Sequence, residues 1–360
     1  MARDESIDAL RGLAIVLVVA GHALLFSASI QLGNAELATL DPQSWMPVWT
    51  PESIAFRLIY AFHLPLFGFV SGIVLRFSHG RRPLVRVRGR ALSLLVPYLS
   101  WSIVLYPIAL AFPATVASMP GPWVTTLIDT ILGRDGLWYL YALFICSFVV
   151  SLVSCLHGWK WLLAGTVTIA IVWRSEMAFA VPDLFYLKDA LWIYPFVVLG
   201  YLIWPAKAFM VKHRIGIAVS AGTAFAGLFW LRYPLRGTQL PPIESLAIVI
   251  HEHGLRGAFV LSMTIPYLCA LAAVIALWAF YLGAEGRAID AQAWLGRRSL
   301  GIYAIHSSVL WVMLNAGVTG VGVLIPISVA ISAGITIGLE RNHHSRFWLL
   351  GQSAKLPTLP

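Results

Sequence analysis

Ten apolar stretches divide this chain, and each is long enough to approach the thickness of a bilayer. They run over about 9–30, 54–77, 91–112, 136–156, 159–175, 190–204, 214–231, 257–282, 299–316 and 318–339. A helix needs roughly 20 apolar residues to cross a ~30 Å hydrocarbon core. The spacing therefore predicts an all-α polytopic membrane helical bundle of about ten transmembrane helices. Residues 122–133, with Pro122 and Asp129, read as a surface helix instead. Composition agrees: 59% of residues are hydrophobic and 11% charged, against about 25% charged in soluble chains. Residues 1–340 form one membrane-embedded domain on this reading, and 341–360 a short cytoplasmic tail. The acidic start MARDESID argues against a cleaved signal peptide.

The net charge of +9 would suit nucleic acid, but the cations sit between apolar spans, where topology accounts for them. With a cytoplasmic N-terminus, 18 of the 25 Lys and Arg face inward and 7 outward. The bias predicts both termini in the cytoplasm and a multi-pass protein of the inner (plasma) membrane. Trp45, Trp49 and Trp123 fall in long outer connections, where Trp anchors the interface. The three cysteines lie in apolar runs and read as buried hydrophobes, with no disulfide framework and no metal-ligand spacing.

Ionisable groups inside the spans are the next constraint, because lipid tolerates them only where they serve a purpose. Arg11 and His22 lie in LRGLAIVLVVAGHALLF. Eleven helical residues make three turns and about 20°, so both side chains share one face roughly 16 Å apart. His63, in the second span, falls at a similar depth to His22, and Pro65 can open the helix beside it. Six arginines lie between Arg76 and Arg90, among them Arg86, Arg88 and Arg90. Arg forks suit phosphate oxygens, and a nucleotide-bearing cytoplasmic donor would need them. At the start of the ninth span Tyr303 and His306 are three apart and share a face. An imidazole can be neutral at pH 7. His22 is thus a candidate general base for an alcohol, facing an acyl donor held by its phosphates.

These residues resemble the acyltransferase 3 family of integral membrane O-acyltransferases. Ile7-Asp8-Ala9-Leu10-Arg11-Gly12-Leu13-Ala14 with His22 is similar to its first-helix signature, and Phe62–Gly72 to its Pro-Leu-Phe…Ser-Gly motif. The Arg-rich run ending in Pro97-Tyr98, Leu137-Trp138-Tyr139-Leu140, Phe196–Leu202 and Ser299–His306 follow in the family's order. The family's basic pair is often Arg-x-x-Arg, whereas Arg86, Arg88 and Arg90 alternate here. The resemblance implies a ten-helix bundle that takes acyl-CoA, usually acetyl-CoA, as co-substrate and holds no permanent cofactor. The acyl group passes to a hydroxyl of a cell-envelope or secreted glycan or glycolipid. It implies His22 as the catalytic residue and Arg11 as a donor-binding partner. His63, Arg86, Arg88, Arg90, Tyr303 and His306 complete the expected substrate and donor site. Membrane lipids, and a separate periplasmic protein for any second transfer step, are the expected partners. A glycan or lipid transporter without bond chemistry, and a transferase of succinyl or longer acyl groups, are the alternatives.

Overall fold

The computed structural model describes residues 4–31, 51–112, 121–131, 136–180, 187–232 and 256–352. Trp45, Trp49, the connection 233–255 and the last eight residues lie outside them. Its helices are α1 (Glu5–Gln31), α2 (Pro51–Arg76), α3 (Pro83–Arg90), α4 (Val96–Ala111), α5 (Trp123–Ile131) and α6 (Trp138–Val153). They continue with α7 (Trp159–Ala180), α8 (Leu187–Ile203), α9 (Lys207–Lys212), α10 (Arg214–Arg232) and α11 (Arg256–Tyr281). The last four are α12 (Arg287–Arg297), α13 (Ser299–Asn315), α14 (Val321–Glu340) and α15 (His343–Trp348). No strand occurs among the described residues. Each of the ten apolar stretches is helical. Among the described residues seven candidate spans are long and apolar enough to cross a membrane; the apolar runs in α6, α7 and α13 are shorter. The protein is an all-helical, multi-pass bundle.

Large apolar side chains such as Ile103, Trp161, Ile169, Ile215 and Val219 are exposed on its outside. A soluble protein does not leave so much apolar surface in water, whereas lipid tails accept it. Inside, small residues set how closely helices approach, as is usual where lipid gives no hydrophobic drive to associate. α1 and α12 meet at Gly12 and Gly296: a Cβ on Gly12 would lie 1.8 Å from the Gln292 carbonyl, and one on Gly296 1.8 Å from that of Asp8. α2 and α8 meet in the same way at Gly72 and Gly200, where a Cβ on either would lie 2.0 Å from the facing carbonyl.

Two features depart from the simple ten-span picture. α12 is an extra amphipathic helix lying along the first half of α1. The stretch read as a tail also folds back. Asn342 caps α15 by accepting from the His344 amide at 2.8 Å. The Trp101 indole N–H then donates to the Leu349 carbonyl at 2.8 Å, tying the segment to α4. Cysteines depart as well: Cys155 is exposed, with its sulfur 2.7 Å from an Arg86 nitrogen, whereas Cys146 and Cys269 are buried. Pro65 lies inside α2 without ending it.

Candidate active site: two chambers joined at a neck

Four helices carry the site, and each passes from one cavity into a second through a single residue. The first cavity, about 560 Å³, is lined on its polar side by Arg11, Arg90, Arg297, Arg298, Ser299 and Glu340. The second, about 730 Å³, is lined by His22, His63 and His306, together with Tyr60, Trp138, Trp311, Thr126 and Asp129. Val18 of α1, Leu64 of α2, Tyr139 of α6 and Tyr303 of α13 line both. These four form the boundary, or neck, where a basic chamber adjoins a histidine chamber. The Tyr139 and Tyr303 rings stand 6.0 Å apart across it.

α1 and α13 run side by side in the same direction, which sets the layout. At the basic end Arg11 donates to the Ser299 hydroxyl at 3.0 Å and stands 4.0 Å from the Asp8 carboxylate. At the other end His22 Nδ1 and His306 Nε2 are 2.8 Å apart. The expected companion of His22 was His63. His63 does line the same chamber, but its Nδ1 is engaged by the Ile59 carbonyl at 2.8 Å, and His306 is the hydrogen-bonded partner. Arg11 and His22 face different chambers, so their ~16 Å separation spans the neck.

The hydrogen bonds fix the protons of the neutral pair. His306 Nδ1 faces two carbonyls, Tyr303 at 2.7 Å and Ile302 at 3.2 Å, and a carbonyl only accepts. His306 therefore carries its proton on Nδ1, and its Nε2 accepts from Nδ1–H of His22. That leaves the lone pair of His22 on Nε2. Carbonyl, imidazole and imidazole thus form a chain that orients one basic nitrogen in a cavity, as an orienting group does for a catalytic histidine. A stack holds the ring from its other side, with Phe26 at 5.4 Å from His22 and Trp311 at 4.7 Å from Phe26.

The third arginine cluster is divided by the fold. Arg90 lines the basic chamber, just before a π turn over Ala91–Leu95 whose Ser93 and Leu94 line it too. Arg86 is 4% exposed and lines neither chamber. It donates to the Ser154 hydroxyl at 2.8 Å, the Ser151 carbonyl at 2.7 Å and the Tyr201 hydroxyl at 3.3 Å. His79 joins that cluster through Tyr201. Burial, then the Arg76 and Arg86 charges, hold the His79 imidazole below its ordinary pKa. Arg88 is exposed and outside both cavities. Two further arginines reach the basic chamber from the α12–α13 junction: Arg297, and Arg298, which is paired with Glu340 at 2.9 Å. Leu350, Gly351 and Gln352 wall the same chamber. Among the described residues no group of three or more His, Cys, Asp or Glu could hold a metal.

The acyltransferase domain family, acyltransferase 3, matches residues 4–339. The chain belongs to this family. As an acyltransferase 3 protein it is an enzyme that transfers acyl groups, which decides against a transporter without bond chemistry. Two relatives carry the name nodulation protein NolL. That of Mesorhizobium japonicum is 24% identical over 328 residues, covering 86% of this chain and 78% of the relative. That of Sinorhizobium fredii is 28% identical over 201 residues, covering 56% of this chain and 48% of the relative. No solved structure matches significantly.

Proposed function

We propose that this acyltransferase moves an acetyl or similar small acyl group from acyl-CoA, entering at the cytoplasmic face, to a hydroxyl of a cell-envelope or secreted glycan. The observation that carries the reading is the pairing of chambers: phosphate-binding cations on one side of a neck and an oriented base on the other. Arg11, Arg90 and Arg297 offer charge-assisted hydrogen bonds to the CoA phosphates. The pantetheine arm, of the order of the ~16 Å between Arg11 and His22, carries the thioester to the neck. His22 Nε2 takes the proton of the acceptor hydroxyl, while His306 keeps the other nitrogen protonated and the ring in place.

The histidine chamber suits a sugar. Trp138, Trp311 and Tyr60 supply flat apolar faces, and Asp129, Thr126 and Tyr106 supply polar groups for hydroxyls. The bias of basic residues supports a cytoplasmic Arg chamber and cytoplasmic termini in a multi-pass inner-membrane protein. The acceptor, whether polysaccharide, periplasmic glucan or lipid-linked sugar, then enters from outside. A succinyl or longer acyl group would have to pass the same neck.

The test is transfer of label from radiolabelled acetyl-CoA to envelope glycans in membrane vesicles, with mass spectrometry of those glycans in cells with and without the protein. His22→Ala protein that still inserts should lose about 10²–10⁴-fold in rate. Unchanged rates in that variant would sink the mechanism, and glycans identical with and without the protein would sink the acceptor class.

A further inference from the structure

The Tyr139 hydroxyl has no structural purpose. Tyr139 is 4% exposed, and its oxygen is closed off from solvent with no hydrogen-bond partner. A buried hydroxyl left unpaired is a net liability, and a phenylalanine of the same shape would remove it. Phe67, 5.7 Å from the Tyr139 ring, already packs in the same surroundings. The hydroxyl therefore calls for a partner that arrives from outside, and Tyr139 lines both chambers at the place where they meet.

The depth of the neck says which part of a substrate that partner would be. Val18 is one turn before His22 on α1, and Tyr303 one turn before His306 on α13. The neck thus lies about 5 Å to the basic side of the paired imidazoles. Given the acyl-transfer reading above, on which this rests, an acceptor oxygen at His22 attacks an acyl carbon lying at that level. We infer that the Tyr139 hydroxyl donates a hydrogen bond to the acyl carbonyl oxygen and stabilises the negative charge that develops there. His22 Nε2 takes the proton of the acceptor hydroxyl, and the freed electron pair forms the new C–O bond. The carbonyl π pair moves onto its oxygen, where Tyr139 holds it. Its return breaks the C–S bond, and the CoA thiolate leaves with the proton from His22. The products are the ester and free CoA, and Tyr139 is unchanged. The motif Leu137-Trp138-Tyr139-Leu140 thereby acquires a chemical task.

The experiment compares wild type with Tyr139→Phe, using two unreactive CoA derivatives. One is the ketone in which a methylene replaces the thioester sulfur of acetyl-CoA, so the carbonyl stays. The other is the ethyl thioether, which has no carbonyl. Wild type should bind the ketone roughly fivefold more tightly, the worth of one hydrogen bond, and Tyr139→Phe should bind both alike. Transfer from labelled acetyl-CoA should fall about 10²–10³-fold in kcat with little change in KM. The melting temperature should hold or rise, since no hydrogen bond is lost; a structural tyrosine would lower it. An equal ketone preference in both proteins, or an unchanged kcat, overturns the inference and leaves the CoA reading standing. Failure of both derivatives to bind wild type removes the CoA reading, and the inference with it.

Discussion

The two chambers share four helices and differ in almost every polar group they expose. The basic chamber has arginines whose charge is permanent, steadied by Ser299, Asp8 and Glu340. The histidine chamber has three imidazoles among aromatic rings, groups that can give and take a proton. Such a contrast suits a reaction split by depth, with one end holding an anion still and the other moving protons. It also explains why a single helix face carries both Arg11 and His22. Each residue serves a different compartment, and the two turns of helix from Arg11 to Val18 lead from the first chamber to its exit.

If the compartments matter only because they connect, closing the neck is the most damaging change short of removing the base. Val18→Trp places a large ring between Tyr139 and Tyr303. Transfer should fall at least about 10²-fold, since misplacement of reacting groups by an ångström has that effect. Protection of the protein against heat by CoA should remain, because the arginines of the basic chamber are unchanged. Loss of both together would mean that the chambers are one site, and retention of transfer would mean that the acyl group takes another route.

Much of this was legible in the chain. That each apolar run is helical follows from its composition and length, and the shared face of Arg11 and His22 follows from helical phase. The pairing of His22 with His306 was not, because it joins residues 284 positions apart through the packing of α13 on α1. Depth counting along one helix gave His63 an equal claim. Nor does sequence show where an arginine's guanidinium goes. Arg86 and Arg90 are one turn apart, yet packing against α6 and α8 engages the first, while the second lies at a cavity wall. The tail was misleading for a related reason. Its polar composition shows no packing partner, whereas the Trp101 bond to Leu349 ties it down and Leu350, Gly351 and Gln352 wall the basic chamber.

The two neighbouring arginines sharpen the contrast further. Arg86→Ala removes the charge-assisted bonds to the buried Ser154 hydroxyl and Ser151 carbonyl and leaves that pair with their longer 3.3 Å contact to each other, so it should destabilise the protein by about 1–3 kcal/mol, read as a lower melting temperature. The KM for acetyl-CoA of the folded fraction should stay within about twofold. Arg90→Ala should do the reverse. The Arg90 guanidinium makes no hydrogen bond among the described residues, and deleting a phosphate contact worth about 1.4 kcal/mol raises KM for acetyl-CoA roughly tenfold with the melting temperature unchanged. A matching pair of KM increases would show that the whole arginine run binds donor.

Arg88 gives the smallest effect and separates contact from field. It is exposed and lines neither chamber, so it can act on an anionic donor only at a distance. Charges acting that way are screened over about 10 Å at 0.1 M salt and about 3 Å at 1 M. Arg88→Ala should therefore raise KM for acetyl-CoA at most about twofold at low salt, and the difference should vanish in 1 M salt. The Arg90→Ala defect should persist in part at 1 M, because a direct bidentate contact is screened less than a distant charge. An Arg88 effect that survived high salt would place its guanidinium on the donor, and the boundary of the basic chamber would have to be redrawn to include it.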